Sequence, residues 1–285
     1  MVIWQVDFYY LPEQIGAERL WELTICELIN TTKDKKTDKV YSVQCYSSQA
    51  NTQWLVEKIS EIAHNKLPDT IQVFRPQTLG LISSAAKQLN IKVEATRNTS
   101  TLKQVLKEKH RDKYPNYNPT KLDKPVPQPL PENLWGDKWQ IANIQANQIV
   151  ELFRDRPIPI CRLPESLFPI NLGIASDLPI PGVVVYGGRK SMQIAQWIEQ
   201  QNPAFLNYIP TEIGKSGGFI LETGLVDRWV FNTFESEQAA QIARSYEQKK
   251  QAVGGLHFIL IQPDDSGITH TAFWLLKQER ISQKL

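Results

Sequence analysis

The chain has 285 residues, of which 41% are hydrophobic and 22% charged, a composition that excludes an intrinsically disordered chain. Its 32 Lys and Arg residues nearly balance 30 Asp and Glu residues, so a net charge of +2 excludes a histone-like polycation but allows local basic patches. The length predicts one or two domains, each with a sizeable core.

The first half predicts three antiparallel strands and then alternating helices and strands. Apolar alternation predicts strands over Ile3–Tyr10, Trp21–Leu28 and Val40–Tyr46, with a charged turn over residues 33–39. Helices are predicted after an Asn51 cap, from Gln77 or Thr78, and after a Thr99 or Ser100 cap, with strands at Thr70–Phe74 and Ile91–Ala95. This is the element order of a ribonuclease-H-like domain.

A proline-rich segment separates the two halves. Prolines occur at 115, 119, 125, 127, 129 and 131. Proline lacks an amide proton and disfavours helix in the preceding residue, so we predict an extended connector over 113–134. It would join an N-terminal domain, 1–112, to a C-terminal domain, 135–285. A strap lying on the protein surface and a motif for a partner's aromatic groove are both open interpretations.

The second half also predicts an α/β domain. Helices are predicted over Ile144–Phe153, over Ser191–Gln201 and after a Ser236 cap, the last with Ala239, Ile242, Ala243 and Tyr246 on one face and Gly254-Gly255 at its end. Strands are predicted at Gly182–Tyr186, which should be buried on both faces, and at Phe205–Ile209, Phe219–Glu222 and Trp229–Phe234, before a final hairpin of Leu256–Ile261 and Thr271–Leu276. The predicted fold class is therefore α/β, with two mixed-sheet domains.

Targeting and cysteine patterns predict a protein of the cytoplasm. No apolar run approaches the ~18 residues of a membrane span, and the first residues lack the basic and apolar regions of a signal peptide. Cys26, Cys45 and Cys161 are widely spaced and odd in number. They predict buried free thiols in a reducing compartment rather than disulfides or a metal site.

One set of acidic residues suggests a two-metal nuclease. Asp7 on the first strand, Glu22 on the second, and Glu57 or Glu61 on the first helix are its candidate ligands. However, Arg75 follows the next strand, where such enzymes usually supply an acid, and a cation there would compete with the metal. We therefore predict a protein that is not an enzyme, with Asp7 as a hydrogen-bonding residue at the end of its strand.

Other catalytic patterns are weaker, and we predict no metal or cofactor. Gly214-Lys215-Ser216 lacks the first glycine of a phosphate-binding loop, because Ile209 stands there. His257 and His270 are expected to approach each other across the final hairpin, but they lack a third ligand. Residues 263–267, Pro-Asp-Asp-Ser-Gly, favour a turn.

Two basic segments are candidate binding sites. Gly187, Gly188, Arg189 and Lys190 lie between a buried strand and a helix, where free amides and two cations would suit a phosphate. Around the third helix, the cations are Lys92, Arg97, Lys103, Lys107, Lys109 and Arg111. Solvated surface charge is the simpler interpretation of both.

Eight tryptophans are many for this length. Most are expected in the core, and Trp135 and Trp139, at the end of the connector, are the least certain to be buried. An exposed tryptophan beside a basic groove would form a platform on which a nucleobase stacks.

Several separated motifs are shared with one known family. These are residues 4–9 (WQVDFY), 74–77 (FRPQ), 153–159 (FRDRPIP), 181–189 (PGVVVYGGR), 255–258 (GLHF), 262–267 (QPDDSG) and 273–276 (FWLL). Together they resemble the chloroplast and cyanobacterial translation factors for a messenger RNA that encodes a reaction-centre protein of photosystem I. The family's Trp-Leu-Leu signature corresponds to Trp274, Leu275 and Leu276, which the sequence places on a buried terminal strand.

The resemblance implies an RNA-binding protein of photosystem biogenesis. Its ligand would be an A/U-rich single-stranded stretch of a messenger leader, and it would promote translation or assembly of photosystem subunits, with ribosomal or assembly proteins as further partners. The missing transit peptide favours a member of the cyanobacterial cytosol. We expect RNA along a basic groove near Arg75, Arg97, Arg189 and Lys190. The metal-dependent nuclease and a protein-binding assembly scaffold are the rival hypotheses.

Overall fold

The computed structural model describes residues 2–15, 18–28, 39–64 and 66–278. The chain divides into two compact units, residues 1–123 and residues 124–285. Both units are α/β with mixed sheets, as predicted. Most of the predicted charged turn over 33–39 lies outside the described residues. Among the described helices, none is long and apolar enough to span a membrane.

The described part of the first unit contains one five-stranded sheet and three helices. They are β1 (Ile3–Ile15), β2 (Glu18–Leu28), β3 (Lys39–Tyr46), α1 (Thr52–Ala63), β4 (Thr70–Val73), α2 (Pro76–Gln88), β5 (Lys92–Ala95) and α3 (Ser100–Arg111). The strand order in the sheet is β3-β2-β1-β4-β5. Strand β2 pairs antiparallel with both β1 and β3, whereas β4 pairs in parallel with both β1 and β5. The observed order of strands and helices agrees with the order predicted from the sequence. The ribonuclease-H-like assignment stays a prediction.

Helix starts in this unit follow from local chemistry. The Asn51 side chain accepts a hydrogen bond from the Trp54 amide at 3.0 Å, which confirms the predicted cap of α1. The predicted start of α2 at Gln77 or Thr78 is wrong, because the helix begins at Pro76. Proline suits that first position since its missing amide proton would find no partner within the helix.

Different helices pack on the two faces of the first sheet. On one face Val6, Phe8 and Ile25 pack with apolar residues of α1 and α2. On the other, Tyr9 and Leu11 pack with buried leucines of α3. Because strand side chains alternate, Asp7 and Glu22 lie on the face that α3 covers.

The described part of the second unit contains two sheets and three helices. They are β6 (Gln128–Pro129), β7 (Lys138–Gln145), α4 (Gln148–Phe153), β8 (Ile160–Arg162), β9 (Pro179–Tyr186), α5 (Ser191–Gln200), β10 (Pro203–Glu212), β11 (Ser216–Thr223), β12 (Asp227–Glu235), α6 (Glu237–Ala252), β13 (Leu256–Gln262) and β14 (Ala272–Lys277). The five-stranded sheet has the order β7-β9-β13-β14-β8, and the four-stranded sheet has the order β10-β11-β12-β6.

Strands β9 and β13 form the buried centre of the five-stranded sheet. They pair in parallel, and all but one of their residues are buried, as the continuous apolar run predicted. The terminal hairpin of β13 and β14 is confirmed. One face of this sheet packs on α5, α6 and the four-stranded sheet.

Two helix predictions in the second unit are wrong in detail. The helix predicted over Ile144–Phe153 is only α4, because residues 138–145 alternate between more and less exposed positions and form β7. The predicted inner face of α6 is correct at Ala243 and Tyr246, which are buried, but wrong at Ile242, which is 47% exposed. Ala240 and Lys250 are buried instead. The Lys250 ammonium donates to the Leu206 carbonyl at 2.8 Å, which places a charged residue on the inner face.

The proline segment contributes to both units: the part up to Asp123 packs on the first unit, and the part after it packs on the second. Before the division at Asp123, the Pro119 carbonyl accepts a hydrogen bond from Arg75. After it, Lys124 pairs with buried Glu222 at 3.0 Å, and β6 pairs with β12. The connector over 113–134 and the domain limits 1–112 and 135–285 stay predictions, and the division of the chain falls inside the connector.

Candidate nucleic-acid interface

Asp7 and Arg75 form a buried ion pair. Arg75 donates from Nε to Asp7 Oδ1 at 2.8 Å and from Nη2 to Oδ2 at 2.8 Å, and its Nη2 also donates to the Pro119 carbonyl at 2.6 Å. The Asp7 side chain is fully buried. Burial raises the pKa of Asp7, and the hydrogen bonds and charge of Arg75 oppose that rise. Arg75 is therefore held by the fold, and we do not carry it into the interface.

Glu22 is the second buried acid of this face and has its own partners. It accepts hydrogen bonds from the Tyr9 hydroxyl at 2.6 Å and from Gln44 at 3.0 Å, and it pairs with Lys109 at 2.8 Å. Burial disfavours its charge, but these bonds and the lysine hold its pKa below the usual range. His110 donates from Nε2 to the Tyr9 hydroxyl at 2.7 Å and completes the network.

These contacts leave the nuclease hypothesis without an assembled acid set. Asp7 and Glu22 already bind protein cations. Glu61 is exposed and pairs with Lys58, and Glu57 accepts from Gln53 on the helix surface. The described residues include no group of three or more His, Cys, Asp or Glu side chains placed to hold a metal ion.

The turn over residues 187–190, which we call the GGRK turn, differs from the expected anion cradle. The Gly187 amide donates to the Gln262 carbonyl and the Gly188 amide to the Pro263 carbonyl, both at 2.9 Å. The glycines are thus used to build the turn, and Gly188 adopts φ +51°. The prediction of free glycine amides is wrong, and a phosphate would meet the exposed side chains of Arg189 and Lys190.

The basic residues of the third helix are only partly available. Lys103 donates to the Arg97 carbonyl and lies over the Phe74 ring, so its side chain is held at the start of α3. Both Lys103 and Arg97 are half-buried. Lys107 is exposed one turn further along the helix. Lys92 and Arg111 are exposed as well, whereas Lys109 is exposed but pairs with Glu22.

Trp135 stands at the edge of a small pocket in the second unit, which we call the Trp135 pocket. The indole is 60% exposed, and Trp139 is half-buried. The pocket has a volume of about 90 Å³. Its aromatic walls are Trp135, Trp139, Trp197 and Phe231, its apolar floor includes Val185, Ile194 and Ile198, and its polar residues are Lys138 and Asn232.

The fold brings the Trp135 pocket and the GGRK turn side by side. The Asp137 amide donates to the Tyr186 carbonyl at 2.8 Å, so residues 135–138 run beside the end of β9. Ile194 lines the pocket and also lies against Gly187. The Asp137 carboxylate lies against Gly188, within the turn. The tryptophan whose burial the sequence left uncertain and the predicted basic turn therefore lie on one surface.

The remaining predicted residues are structural. His257 accepts from the Leu206 amide at 2.9 Å and donates to the Gly255 carbonyl at 2.9 Å. His270 lies at the other end of the hairpin, in a second pocket with Arg156, so the expected approach of the two histidines is wrong. Asp264 accepts from the Ser266 amide, as predicted for a turn. Residues 274–276 are buried in β14, and the Trp274 indole donates to Glu199 at 2.9 Å.

Asn232 is the residue of this surface that sequence reasoning missed. It lies on β12, far in sequence from Trp135, and its side-chain amide nitrogen is buried without a hydrogen-bond partner among the described residues. Its position depends on the pairing of β12 with β11, so no local sequence signal could have found it.

Comparisons with known proteins identify the family. A family model described as "RNA-binding protein Tab2/Atab2 N terminal" matches residues 3–109, and one described as "RNA-binding protein Tab2/Atab2, C-terminal domain" matches residues 117–277. A maize (Zea mays) protein called "Protein TAB2 homolog, chloroplastic" is 27% identical over 96% of this chain and 70% of its own. Its Arabidopsis thaliana namesake is 28% identical over 96% of this chain and 74% of its own.

Solved structures add no argument about fold. The magnesium-bound HTLV-2 integrase catalytic core domain aligns with 40% of this chain and 74% of its own, at 14% identity and a TM-score of 0.23. A simian T-cell lymphotropic virus intasome chain aligns with 40% of this chain and 43% of its own, at 12% identity and a TM-score of 0.25. The two family models instead cover most of the sequence. The chain belongs to the Tab2/Atab2 family of RNA-binding proteins.

Proposed function

We propose that this protein binds A/U-rich single-stranded RNA in a messenger leader and thereby promotes translation or assembly of photosystem subunits. The observation that carries the proposal is membership of an RNA-binding family along nearly the whole chain. The preference for A/U-rich RNA and the role in translation come from the family resemblance of the sequence motifs. Ribosomal and photosystem-assembly proteins are the further partners we consider.

The charge distribution agrees with a local RNA contact. Because the net charge is only +2, binding must rely on a few exposed cations rather than on the field of the whole protein. Arg189 and Lys190 are exposed on the GGRK turn of the second unit, and Lys107 is exposed in the first. Each can neutralise a phosphate without breaking a described ion pair.

The proposal assigns no catalytic role to the buried acids. The ion pair of Asp7 with Arg75 and the network of Glu22 hold the α3 side of the sheet together. We propose that the domain binds RNA without cleaving it. Intact RNA at the end of a binding experiment with Mg²⁺ is the expected result, and cleavage that Asp7→Asn abolishes would contradict it.

Salt dependence of RNA binding tests the proposal. The measurement is fluorescence anisotropy of a labelled A/U-rich RNA of about 20 nucleotides, from about 50 to about 200 mM salt. The double variant Arg189→Ala, Lys190→Ala should weaken binding and reduce the salt slope by up to about 1.4, since each single-strand phosphate contact contributes about 0.7.

A charge-matched variant provides the control. Arg244→Ala with Lys277→Ala removes two exposed cations of the same unit from outside the GGRK turn and the Trp135 pocket. It should keep the wild-type affinity and slope. Equal slopes for all three proteins would remove Arg189 and Lys190 from the interface, and no binding by the wild type would favour the protein-binding scaffold.

A further inference from the structure

We infer that the Trp135 pocket binds one unpaired nucleobase of the RNA, with the flanking phosphate on the GGRK turn. The inference rests on the proposed RNA binding and adds the place and chemistry of one nucleotide subsite. Three features support it: an exposed indole, an unsatisfied amide donor, and cations at one side.

The exposed indole is the first feature. A tryptophan with 60% of its surface in solvent is unusual for a side chain of this size, because its burial would stabilise the fold. The Trp135 Nε1 donates to the Leu130 carbonyl at 3.3 Å, which fixes one edge of the ring. A planar base can stack on the free face, or between it and the other aromatic walls.

The unsatisfied donor is the second feature. Asn232 lines the pocket, and its amide nitrogen finds no acceptor among the described residues although it is buried. Such a group destabilises a protein unless a ligand or water satisfies it. A turn of the half-buried Asn232 side chain toward the pocket would let it donate to a ring nitrogen or carbonyl of a base. An apolar ligand would leave the donor unsatisfied.

The cations are the third feature and select a nucleotide over an uncharged aromatic ligand. Lys138 lies on the pocket wall and is exposed, and the GGRK turn adjoins the pocket through residues 135–138 and Ile194. A base in the pocket therefore has basic side chains nearby for the phosphate that follows it. The Asp137 carboxylate lies against Gly188 of the turn, so a strongly acidic peptide is a poorer fit than a nucleotide that presents single phosphates.

Binding of an unstructured oligouridine of about 12 nucleotides tests the subsite. Trp135→Ala should weaken binding about 5- to 150-fold, as loss of one stacked base does, and Trp135→Phe should restore most of it. The salt slope should not change, because Trp135 carries no charge. Asn232→Ala should weaken binding about 2- to 13-fold.

The control is Ile170→Ala, which removes another exposed apolar side chain of the same unit and should leave binding unchanged. Trp135 is largely exposed, so its variants should keep the wild-type circular dichroism and melting temperature. In addition, photocrosslinking of wild-type protein with 5-iodouridine RNA should modify the peptide that contains Trp135.

The outcomes separate the inference from the function on which it rests. If the wild type binds RNA but Trp135→Ala and Asn232→Ala bind as Ile170→Ala does, the subsite is wrong and RNA binding stands. Crosslinks confined to the first unit would have the same meaning and leave the pocket to a protein partner. If the wild type binds no RNA, both the function and the subsite fall.

Discussion

Removal of the Arg75 side chain should destabilise the first unit strongly and in a pH-dependent way. Arg75→Ala removes three hydrogen bonds to Asp7, of 2.8, 3.2 and 2.8 Å, and one to the Pro119 carbonyl. The Asp7 carboxylate would remain in a fully buried position without its cation. Breaking a buried ion pair in this way costs about 3–5 kcal/mol of unfolding free energy.

The pH dependence has a definite sign. Without Arg75, burial acts alone and the pKa of Asp7 in the folded state lies well above its value in the unfolded chain. The folded variant then holds a proton that the unfolded chain releases, so its stability falls as pH rises through that folded pKa. The deficit relative to the wild type should therefore be larger at about pH 7 than at about pH 4. Adding Asp7→Asn to Arg75→Ala should recover most of the loss.

The assay is urea unfolding, monitored by hydrogen–deuterium exchange of peptides from β1 and α2. These peptides report the unfolding of the first unit separately from that of the second. Lys58→Ala is the control, since its exposed pair with Glu61 should contribute at most about 0.5 kcal/mol. A loss below about 1 kcal/mol for Arg75→Ala, or one that does not change with pH, would show that the Asp7 carboxylate does not depend on Arg75 for its burial.

Three further predictions concern buried groups. Burial depresses the pKa of His257 to about 3, so the second unit should lose about 2 kcal/mol of stability between about pH 7 and pH 5, measured by urea unfolding, and His257→Gln should flatten that dependence. Burial raises the pKa of the Cys45 thiol to about 11, so it should react with a thiol reagent at about pH 8 only after unfolding. Lys250→Met should cost about 1–3 kcal/mol of unfolding free energy, because the Leu206 carbonyl loses its donor, whereas Lys249→Met should cost less.

Local chemistry made much of the fold predictable. The alternation in the first three strands, the Asn51 and Ser236 caps and the continuous apolar run of β9 each act within a few residues of sequence. The start of α2 differs from the predicted one because Pro76 occupies the first helical position, where its missing amide proton needs no partner within the helix. The inner face of α6 was missed because the buried Lys250 finds its acceptor on Leu206, 44 residues earlier.

The short strands show why pairing between distant segments cannot be predicted from the local sequence pattern. Strand β6 has two residues in a proline-rich segment, and β8 has three. Neither has a period of its own, and each exists because a longer strand, β12 or β14, offers free hydrogen-bonding groups.

The candidate site was predictable in its parts but not in its assembly. The sequence motifs predicted that the chain belongs to an RNA-binding family, and this membership is confirmed. The sequence marked Trp135 as one of the two tryptophans least certain to be buried and marked the GGRK turn as basic, but their proximity depends on the pairing of β7 with β9. Asn232 could not be found, because a buried amide without a partner is a property of the packed structure.

The proposed function is the binding of A/U-rich single-stranded RNA without cleavage. Its most direct test is competition of the labelled A/U-rich RNA against unlabelled A/U-rich and G/C-rich single strands of equal length, with Mg²⁺ present and each endpoint run on a denaturing gel. We expect stronger competition by the A/U-rich strand and full-length RNA in every lane. Equal competition would contradict the base preference, and no binding by the wild type at low salt would contradict the claim as a whole.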